Sequence, residues 1–519
     1  MPELRSTTSY IDVHRISNLH GLQEQCQKHW GLRKIQPYFP SIDKLFKLDN
    51  VRVPFHYGLK TRENIQTISG EDTIYASGNQ KKIHKKISMI LPPYRVMHGD
   101  FGVFGLTQNN YIQSPNNSAY IGSLISVALS ESECSHFPDV YGVFSAISEK
   151  FTLNISDDYE DLCDRHWFSK NIGHFFDLKL KTPELPLLTL EDTDERIEVE
   201  DIEGIPVEVP IELPTTPTAI EDEDESDECS TRYIFDIHTD SGSSEHYEDG
   251  IGFEEQEEDF AFASFKDCPV QVTVMEQCKA TLFDLFKENK ETEKRSAWLV
   301  QVVFALAFAQ RMFGFVHNDL HAMNVMYVDT SKEFLYYSLS GKVYRVPTFG
   351  KLIKIIDFER SCFSIKLPKM KEAKTFMSSQ FDFEEEAGGQ YNYGPFYNPK
   401  YPEIKPNPSF DLVRLATSMF WDVFPDGPLC DRYKEDPIFQ LFMSWMTLPD
   451  GTSILFRNLK KKDTHERYTG FTLYKAIAKY CKDTAIPRKQ IEKFGGPYVF
   501  RGRIPVSDSC LNIDYKSDT

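Results

Sequence analysis

The sequence lacks the features that would tie it to a metal cluster, a redox couple or a membrane. Its 10 cysteines are scattered, without the short paired spacings of zinc sites or redox motifs. The longest apolar run, residues 298–309, is interrupted by Gln301 and is too short to span a bilayer. The first residues contain no apolar stretch of the kind that directs secretion. We therefore expect reduced thiols, no membrane partner and a cytoplasmic location.

One long segment almost lacks basic residues. Residues 191–259 contain 27 Asp and Glu residues but only two basic residues, Arg196 and Arg232, which gives a local net charge of −25. Four prolines interrupt this part of the chain, and it holds too few apolar residues to offset the entropy lost on ordering. We predict a disordered insert at about 189–259, either a solvated spacer or an electrostatic docking segment.

The remainder of the chain is close to neutral, since the net charge of the whole is −20. With 519 residues, of which 40% are hydrophobic and 13% aromatic, the sequence can build one large or two medium domains. The balanced charge gives no support for a nucleic-acid-binding face, and we expect no direct binding to nucleic acid.

The pattern of apolar residues changes along the chain. Residues 51–180 alternate short apolar runs with turn residues, which favours strands and at most two helices. After the insert, residues 269–278 predict a strand, and residues 296–313 predict a buried helix that Gly314 ends. A hairpin with its turn at Ser340-Gly341 follows, and beyond residue 411 the period is helical.

Two short strings carry the chemistry: HNDLHAMN at residues 317–324 and IIDF at residues 355–358. They supply two carboxylates, Asp319 and Asp357, and one carboxamide, Asn324. Phosphoryl transfer needs a carboxylate that orients a hydroxyl group and oxygen ligands that hold Mg²⁺ on the phosphates. These three side chains fill those requirements.

The strings resemble the catalytic loop H-R-D-L-x-x-x-N and the D-F-G segment of the protein kinase superfamily. The DLH step, the hairpin before IIDF and the string FDLVRL at residues 410–415 are similar to haspin-like atypical serine/threonine kinases, including those of large nucleocytoplasmic DNA viruses. The resemblance implies an α+β, bilobal kinase-like fold, with a small β-rich lobe and a larger helical lobe. It implies the following division: an N-terminal extension at 1–45, a smaller lobe with the insert at 46–275, a larger lobe at 276–490 and a tail at 491–519.

The resemblance also implies roles for the residues of the two strings. Asp319 would be the catalytic base, and His317 would brace the loop. Asn324 and Asp357 would contribute to catalysis as ligands of Mg²⁺, which prefers oxygen donors. Asp411, at the start of a helix, resembles the acidic residue that ties down the catalytic loop in kinases.

ATP and Mg²⁺ are the implied cofactors, and further residues would bind the nucleotide. Met275, Glu276 and Cys278 resemble the hinge, where backbone groups of residues 276 and 278 would pair with adenine. The IHKK string at residues 83–86 stands where the family carries its phosphate-binding lysine. We choose Lys86 over the preceding lysine because strand alternation places it on the face of His84.

Several family features are missing or altered. Glu359 replaces the glycine of D-F-G, and no acidic residue occurs between residues 100 and 131 to pair with the lysine, so Glu131 could serve if the helix extends far enough. The best candidate for a glycine-rich loop is Ile68–Gly78. A-P-E is absent, with Tyr401-Pro402-Glu403 at most a remnant.

Three functions remain open. The first is transfer of the γ-phosphoryl group of ATP to Ser or Thr hydroxyls of protein substrates by a monomeric enzyme, in the host cytoplasm or virion if the protein is viral. The second is a small-molecule kinase of the choline-kinase or aminoglycoside-phosphotransferase type, because both also carry an HND-like loop. The third is a pseudokinase that acts as a scaffold.

Overall fold

The computed structural model shows a mixed α/β protein with several separate sheets. The structure describes residues 11–16, 18–37, 45–46, 56–101, 106–132, 134–181, 260–367, 372–459, 465–468 and 470–514. The predicted disordered insert at 189–259 lies outside the described residues. Residues 1–10 of the predicted extension and 515–519 of the predicted tail lie outside them as well.

A seven-stranded antiparallel sheet dominates the part of the structure before residue 277. Six of its strands follow the order β2, β7, β9, β6, β5, β4, and β8 pairs with the start of β9. The long strands β7 and β9 are paired over most of their length, which matches the apolar and β-branched sequences that predicted strands here. The strands are β2 (Leu32–Gln36), β4 (Ile65–Ile68), β5 (Thr73–Ala76), β6 (Asn79–Met89), β7 (Val140–Asn154), β8 (Asp177–Leu180) and β9 (Ala261–Glu276).

The described residues of the predicted N-terminal extension contribute strands that pair with later parts of the chain. Strand β1 (Val13–Arg15) pairs with β3 (Tyr57–Leu59), and β2 forms an edge of the large sheet beside β7. Helix α1 (Leu19–Trp30) connects β1 to β2, and its Trp30 ring stacks on Phe144. This packing was not predicted, because α1 has too few apolar residues to show a helical period.

Five further helices accompany the sheet. The most buried is α4, in which every residue after Ser118 is buried and the side chain of Asn117 caps the first turn. Its Ser123 bonds to Thr273 of β9 at 2.8 Å, so the helix is fixed against the sheet. The helices are α2 (Pro93–His98), α3 (Leu106–Gln113), α4 (Ser118–Ser130), α5 (Tyr159–Cys163) and α6 (His166–Asn171).

Helices dominate the part of the structure after residue 281. The predicted buried helix is confirmed as α8, and Gly314 ends it in the left-handed conformation with φ 55°. Among the described helices, α8 alone is long and apolar enough to cross a membrane, and 83% of its apolar window is buried within the protein, as in a core helix. The helices are α7 (Leu282–Glu288), α8 (Thr292–Phe313), α9 (Phe410–Val423), α10 (Pro437–Met446), α11 (Phe471–Tyr480) and α12 (Pro487–Phe494).

Small sheets pack beside these helices. The predicted hairpin is formed by β12 and β13, and its turn residues Ser340 and Gly341 have φ values of 52° and 73°, as a tight hairpin turn requires. The order of one sheet is β10, β11, β14, that of a second is β17, β13, β12, β18, and β15 pairs with β16. The strands are β10 (Ala280–Thr281), β11 (Val325–Asp329), β12 (Phe334–Leu339), β13 (Lys342–Pro347), β14 (Lys351–Ile355), β15 (Cys362–Ile365), β16 (Lys374–Met377), β17 (Val499–Phe500) and β18 (Cys510–Asn512).

The predicted C-terminal tail contains two short strands. Strand β17 pairs with β13, and β18 runs parallel to β12. These two strands form the edges of a sheet in the second part of the structure. They could not be predicted, because strands of two and three residues are too short to show a period.

The buried His136, between α4 and β7, links the two parts of the structure. Its Nδ1 lies 2.8 Å from the carbonyl oxygen of Ile353, and its Nε2 lies 2.7 Å from the hydroxyl of Tyr337. Nδ1 must carry a proton to bond a carbonyl oxygen. Burial lowers the pKa of His136 to about 4, so at neutral pH the ring is uncharged and Nε2 accepts from the hydroxyl of Tyr337.

Candidate active site

The string HNDLHAMN forms a loop between α8 and β11. Beyond Gly314, Val316 bridges to Cys362, which holds the start of the loop against β15. Residues 322–324 make one turn of 3₁₀ helix directly before β11. The loop therefore has fixed strands and helices at both ends.

Asp411 holds the first residues of the loop. Its two carboxylate oxygens accept the backbone N–H groups of His317 and Asn318, both at 3.0 Å. Asp411 is fully buried at the start of α9. Burial raises the pKa of Asp411, while the nearby ring of His317 and the two backbone hydrogen bonds oppose that rise. The predicted contact between Asp411 and the loop backbone is confirmed.

His317 is buried and packs on aromatic rings. Its Nε2 donates to the carbonyl oxygen of Ile356 at 2.8 Å, and its Nδ1 accepts the backbone N–H of Asp319 at 3.3 Å. The ring contacts Phe315 and Phe358 edge-on. His317 thus ties the HNDLHAMN loop to the IIDF segment.

Asp319 keeps 24% of its side chain exposed and has two polar neighbours. The hydroxyl of Tyr474 donates to Oδ1 at 2.9 Å, and a guanidinium nitrogen of Arg360 lies 3.9 Å from Oδ2. Burial opposes the ionisation of Asp319, but the charges of Arg360 and His321 outweigh it, so its pKa lies below the usual value. Asp319 is therefore a carboxylate at neutral pH.

Asn324 and Asp357 lie at the ends of neighbouring strands. Val325 of β11 pairs with Ile355 of β14, and the N–H of Ile356 donates to the carbonyl oxygen of Asn324 at 3.0 Å. The amide nitrogen of Asn324 donates to the carbonyl oxygen of Asp319 at 2.9 Å, so its amide oxygen is the atom suited to a metal ion.

Asp357 has a left-handed backbone, with φ 62°, which few residues other than glycine adopt. Its Oδ1 accepts from the Nζ of Lys86 at 2.5 Å. Burial opposes the ionisation of Asp357, but the charge and hydrogen bond of Lys86 outweigh it and lower the pKa to about 2. The ion pair joins strand β6 to a segment 271 residues later in the chain.

Lys86 contacts a second carboxylate, Glu359, whose Oε1 lies 3.4 Å from the lysine Nζ. Burial favours the neutral amine, but Asp357 and Glu359 together raise the pKa of Lys86 well above its usual value. The neighbouring Lys85 donates instead to the carbonyl oxygen of Glu71 at 2.6 Å. The structure therefore brings Lys86, and not Lys85, to Asp357.

The predicted hinge residues lie where β9 leaves the sheet. Met275 is buried and pairs with His84 of β6. The N–H of Glu276 donates to the carbonyl oxygen of Asp139, and its carboxylate bonds Lys354 at 2.7 Å. Burial raises the pKa of the Cys278 thiol to about 11, so this side chain stays neutral.

One candidate from the sequence does not reach the lysine. Glu131 follows the last residue of α4 and accepts the backbone N–H of Arg62 at 2.8 Å, whereas the described carboxylates that bond Lys86 are Asp357 and Glu359. The segment Ile68–Gly78 runs from the last residue of β4 through a turn and β5, and β5 pairs with β6. The indole nitrogen of Trp30 donates to the carbonyl oxygen of Gly70 in this turn at 3.2 Å.

Other residues of the site gave no usable signal in the sequence. Tyr474 and Arg360 contact Asp319 from distant parts of the chain, and no local spacing relates them to it. Asn318 has φ 69° and bonds the hydroxyl of Tyr391 at 2.6 Å. Asparagine tolerates this left-handed conformation, which is a signal that could have been used. His321 lies 3.0 Å from the amide nitrogen of Asn324, within the loop.

Part of the chain is similar in sequence to known serine/threonine-protein kinases. No family model matches the chain. The chain is 41% identical over 63 residues to the serine/threonine-protein kinase haspin of Bos taurus, which covers 12% of this chain and 8% of haspin. It is 32% identical over 101 residues to a protein of Acanthamoeba polyphaga mimivirus provisionally named a serine/threonine-protein kinase, covering 17% of this chain and 22% of that protein.

A third relative is an uncharacterised protein of Caenorhabditis elegans, which is 35% identical over 63 residues, 12% of this chain and 21% of that protein. The chain thus spans less than a quarter of the length of each of these relatives. The matches support a local relationship to serine/threonine kinases of the haspin type.

Proposed function

We propose that this protein is an ATP-dependent kinase that transfers the γ-phosphoryl group to Ser or Thr hydroxyls of protein substrates. In this proposal the seven-stranded sheet with α4 is the smaller lobe and the helical part is the larger lobe. The observation that carries the proposal is the ion pair between Lys86 and Asp357. It brings a lysine of the sheet next to the segment that bonds the loop of Asp319 and Asn324.

Asp319 is the group proposed to orient the acceptor hydroxyl. It is ionised at neutral pH and partly exposed, the hydroxyl of Tyr474 donates to its Oδ1, and the guanidinium of Arg360 lies 3.9 Å from its Oδ2. A carboxylate in that state can accept a hydroxyl proton or steer it toward the transferring phosphoryl group.

The donor set at Asn324 and Asp357 fits Mg²⁺, which takes oxygen ligands and usually keeps several waters. The low pKa of Asp357 keeps it ionised, as a ligand must be. Mg²⁺ bound there would neutralise charge on the nucleotide phosphates. Lys86 would bind the α and β phosphates, and the backbone of residues 276 and 278 would pair with adenine.

A protein acceptor is favoured over a small molecule by two observations. The matched relatives that carry a function in their names are serine/threonine-protein kinases. A groove of about 230 Å³, lined in part by Phe383, Tyr401 and Phe471, lies beside Glu386, which pairs with Arg360 next to Asp319. Aromatic side chains in a groove are a recurring way of binding extended peptide segments.

The deciding experiment compares the wild-type protein with Asp319→Asn and Asp357→Ala in a radiolabelled transfer assay on a protein mixture. We expect transfer by the wild type, none by Asp319→Asn, and none by Asp357→Ala. Asp431→Asn, whose side chain is 86% exposed, is the matched control and should behave as the wild type.

Binding is measured in parallel as the change in melting temperature with ATP and Mg²⁺, because a ligand of the folded state raises its apparent stability. Asp319→Asn should keep the wild-type shift, and Asp357→Ala should lose the Mg²⁺-dependent part. Absence of any shift for the wild type at millimolar ATP would favour a scaffold. Transfer to choline or an aminoglycoside, with none to proteins, would favour the small-molecule kinase.

A further inference from the structure

The partner of Lys86 in this protein does not come from the helix that packs beside it. Helix α4 contains no acidic residue, and Glu131 at its end is engaged with Arg62. The described carboxylates that reach the lysine are Asp357 at 2.5 Å and Glu359 at 3.4 Å. Both belong to the segment that follows β14.

Glu359 is fixed in place by two neighbours. The hydroxyl of Ser88, two residues after Lys86 on the same face of β6, donates to its Oε1. On the opposite side, Glu359 lies directly against Gly122 of α4. A Cβ at residue 122 would be 2.8 Å from the Cγ of Glu359 and 3.6 Å from its Cα, so any larger residue would displace the glutamate.

The position of Gly122 in the helix indicates that the glycine is needed for the contact with Glu359. Glycine is a poor helix former, yet it lies in the middle of a fully buried helix. The hydroxyl of Ser126 bonds the carbonyl oxygen of Gly122 at 2.6 Å, which secures the backbone at that turn. The close approach of Glu359 accounts for the absence of a side chain at residue 122.

In the proposed function, Asp357 serves two cations, Lys86 and Mg²⁺. The oxygen that now bonds the lysine, Oδ1, belongs to a carboxylate that the proposed function also assigns to Mg²⁺. Glu359 has no such second assignment. It is therefore the carboxylate that can stay with the lysine in the presence of a nucleotide.

We propose that Glu359 is a positioning residue that holds Lys86 for the phosphates of ATP, in the place of a helix glutamate, and that Gly122 provides the space for it. This inference rests on the proposed kinase function. In this inference, the glutamate that replaces the glycine of D-F-G takes over the role of the helix glutamate. The partner of the lysine then lies in the segment after β14 and not in the helix.

The main test is Glu359→Gln, which keeps the size of the side chain and its ability to accept from Ser88 but removes its charge. We expect kcat/KM for ATP to fall at least about tenfold, as for loss of one charge-assisted hydrogen bond. The KM for the protein substrate should stay within about twofold of the wild-type value. Glu359→Asp should recover part of the loss, and Glu492→Gln on α12 is the matched control.

Two further variants separate positioning from packing. Gly122→Ala places a Cβ 2.8 Å from the Cγ of Glu359, so we expect the glutamate to move and kcat/KM for ATP to fall by a similar tenfold. If the contact serves packing alone, only the melting temperature of this variant should fall. In the charge-relocation variant, Glu359→Gly is combined with Gly122→Glu. It should recover at least about threefold over Glu359→Gly alone, because a side chain at residue 122 enters the space that Glu359 leaves.

The outcomes distinguish this inference from the function on which it rests. Wild-type protein that neither transfers phosphate nor shifts its melting temperature with ATP overturns both. Active wild-type protein with Glu359→Gln and Gly122→Ala within twofold of its kcat/KM overturns the inference and leaves the proposed function standing. Melting temperatures without ligand show whether each variant folds.

Discussion

The two sides of the candidate site are held by different interactions. On the loop side, His317 and Asn318 are fixed by backbone hydrogen bonds to the buried Asp411 and by aromatic packing. On the lysine side, Lys86 is held by two carboxylates in partly exposed positions. We therefore expect the loop side to keep its geometry when a ligand binds, and we expect a ligand to compete for the charges of the lysine side.

The largest expected effect comes from removing one charge from the loop side without changing its shape. Asp319→Asn should lower kcat at least about 100-fold, the usual minimum for a general base, while Tyr474 can still donate to the remaining oxygen. Single-turnover transfer of radiolabelled phosphate measures the loss. A variant that retains more than a tenth of the wild-type rate would show that Asp319 is not the base.

The second test removes the carboxylate that holds the backbone of the loop side. Asp411→Ala leaves two buried N–H groups, of His317 and Asn318, without acceptors, and we expect unfolding to become easier by about 3 kcal/mol. Urea denaturation measures this change. Asp411→Asn keeps one acceptor oxygen and should lose roughly half as much, so equal stability of all three proteins would contradict the comparison.

The third test addresses the link between the two parts of the structure. His136 has a pKa of about 4 when folded and an ordinary value near 6.5 when unfolded, so the unfolded state binds more protons between these pH values. Stability is then complete above about pH 6.5 and declines as the pH falls toward 4. The contribution lost from His136 between pH 7 and 5 should be about 2 kcal/mol.

Urea denaturation at several pH values checks this prediction against His136→Gln, which cannot titrate but keeps a donor and an acceptor. The difference in slope between the two proteins isolates His136 from the other histidines whose pKa burial lowers, such as His14 and His84. Parallel pH profiles for the two proteins would show that His136 does not contribute.

The smallest expected effect concerns the orientation of Asp319. Tyr474→Phe removes the hydroxyl that donates to Oδ1 and should lower kcat about threefold to tenfold, with little change in KM for ATP. Steady-state kinetics with varied ATP measures both constants. Tyr480→Phe, at the exposed end of the same helix, provides the matched control.

The same difference between the two sides explains how much could be predicted from the sequence. His317, Asp319 and Asn324 lie within eight consecutive residues, and the buried helix before them and the strand after them have clear apolar patterns. Asp411 was also predictable as the residue that holds the loop backbone. On this side of the site, residues that are close in the sequence are also close in the structure.

The lysine side could be predicted only in part, because its contacts join distant segments. Strand alternation selected Lys86 over Lys85, and the structure brings Lys86 to Asp357, but nothing local relates Glu359 to Gly122, 237 positions earlier in the numbering. The sheet positions of β2 and β18 were missed for the same reason. Strands this short cannot be predicted from their own residues, because their pairing depends on partner strands from distant parts of the chain.

The contact between Gly122 and Glu359 bears on regulation if Glu359 holds Lys86 as proposed. Kinases in which a helix supplies the glutamate can be switched by displacing that helix, which separates the lysine from its partner. Here a three-residue stretch, Asp357 to Glu359, carries both the proposed metal ligand and the proposed anchor of the lysine. Rearrangement of this stretch would remove both at once, so regulatory proteins or inhibitors that only push the helix outward would leave the lysine beside its proposed anchor.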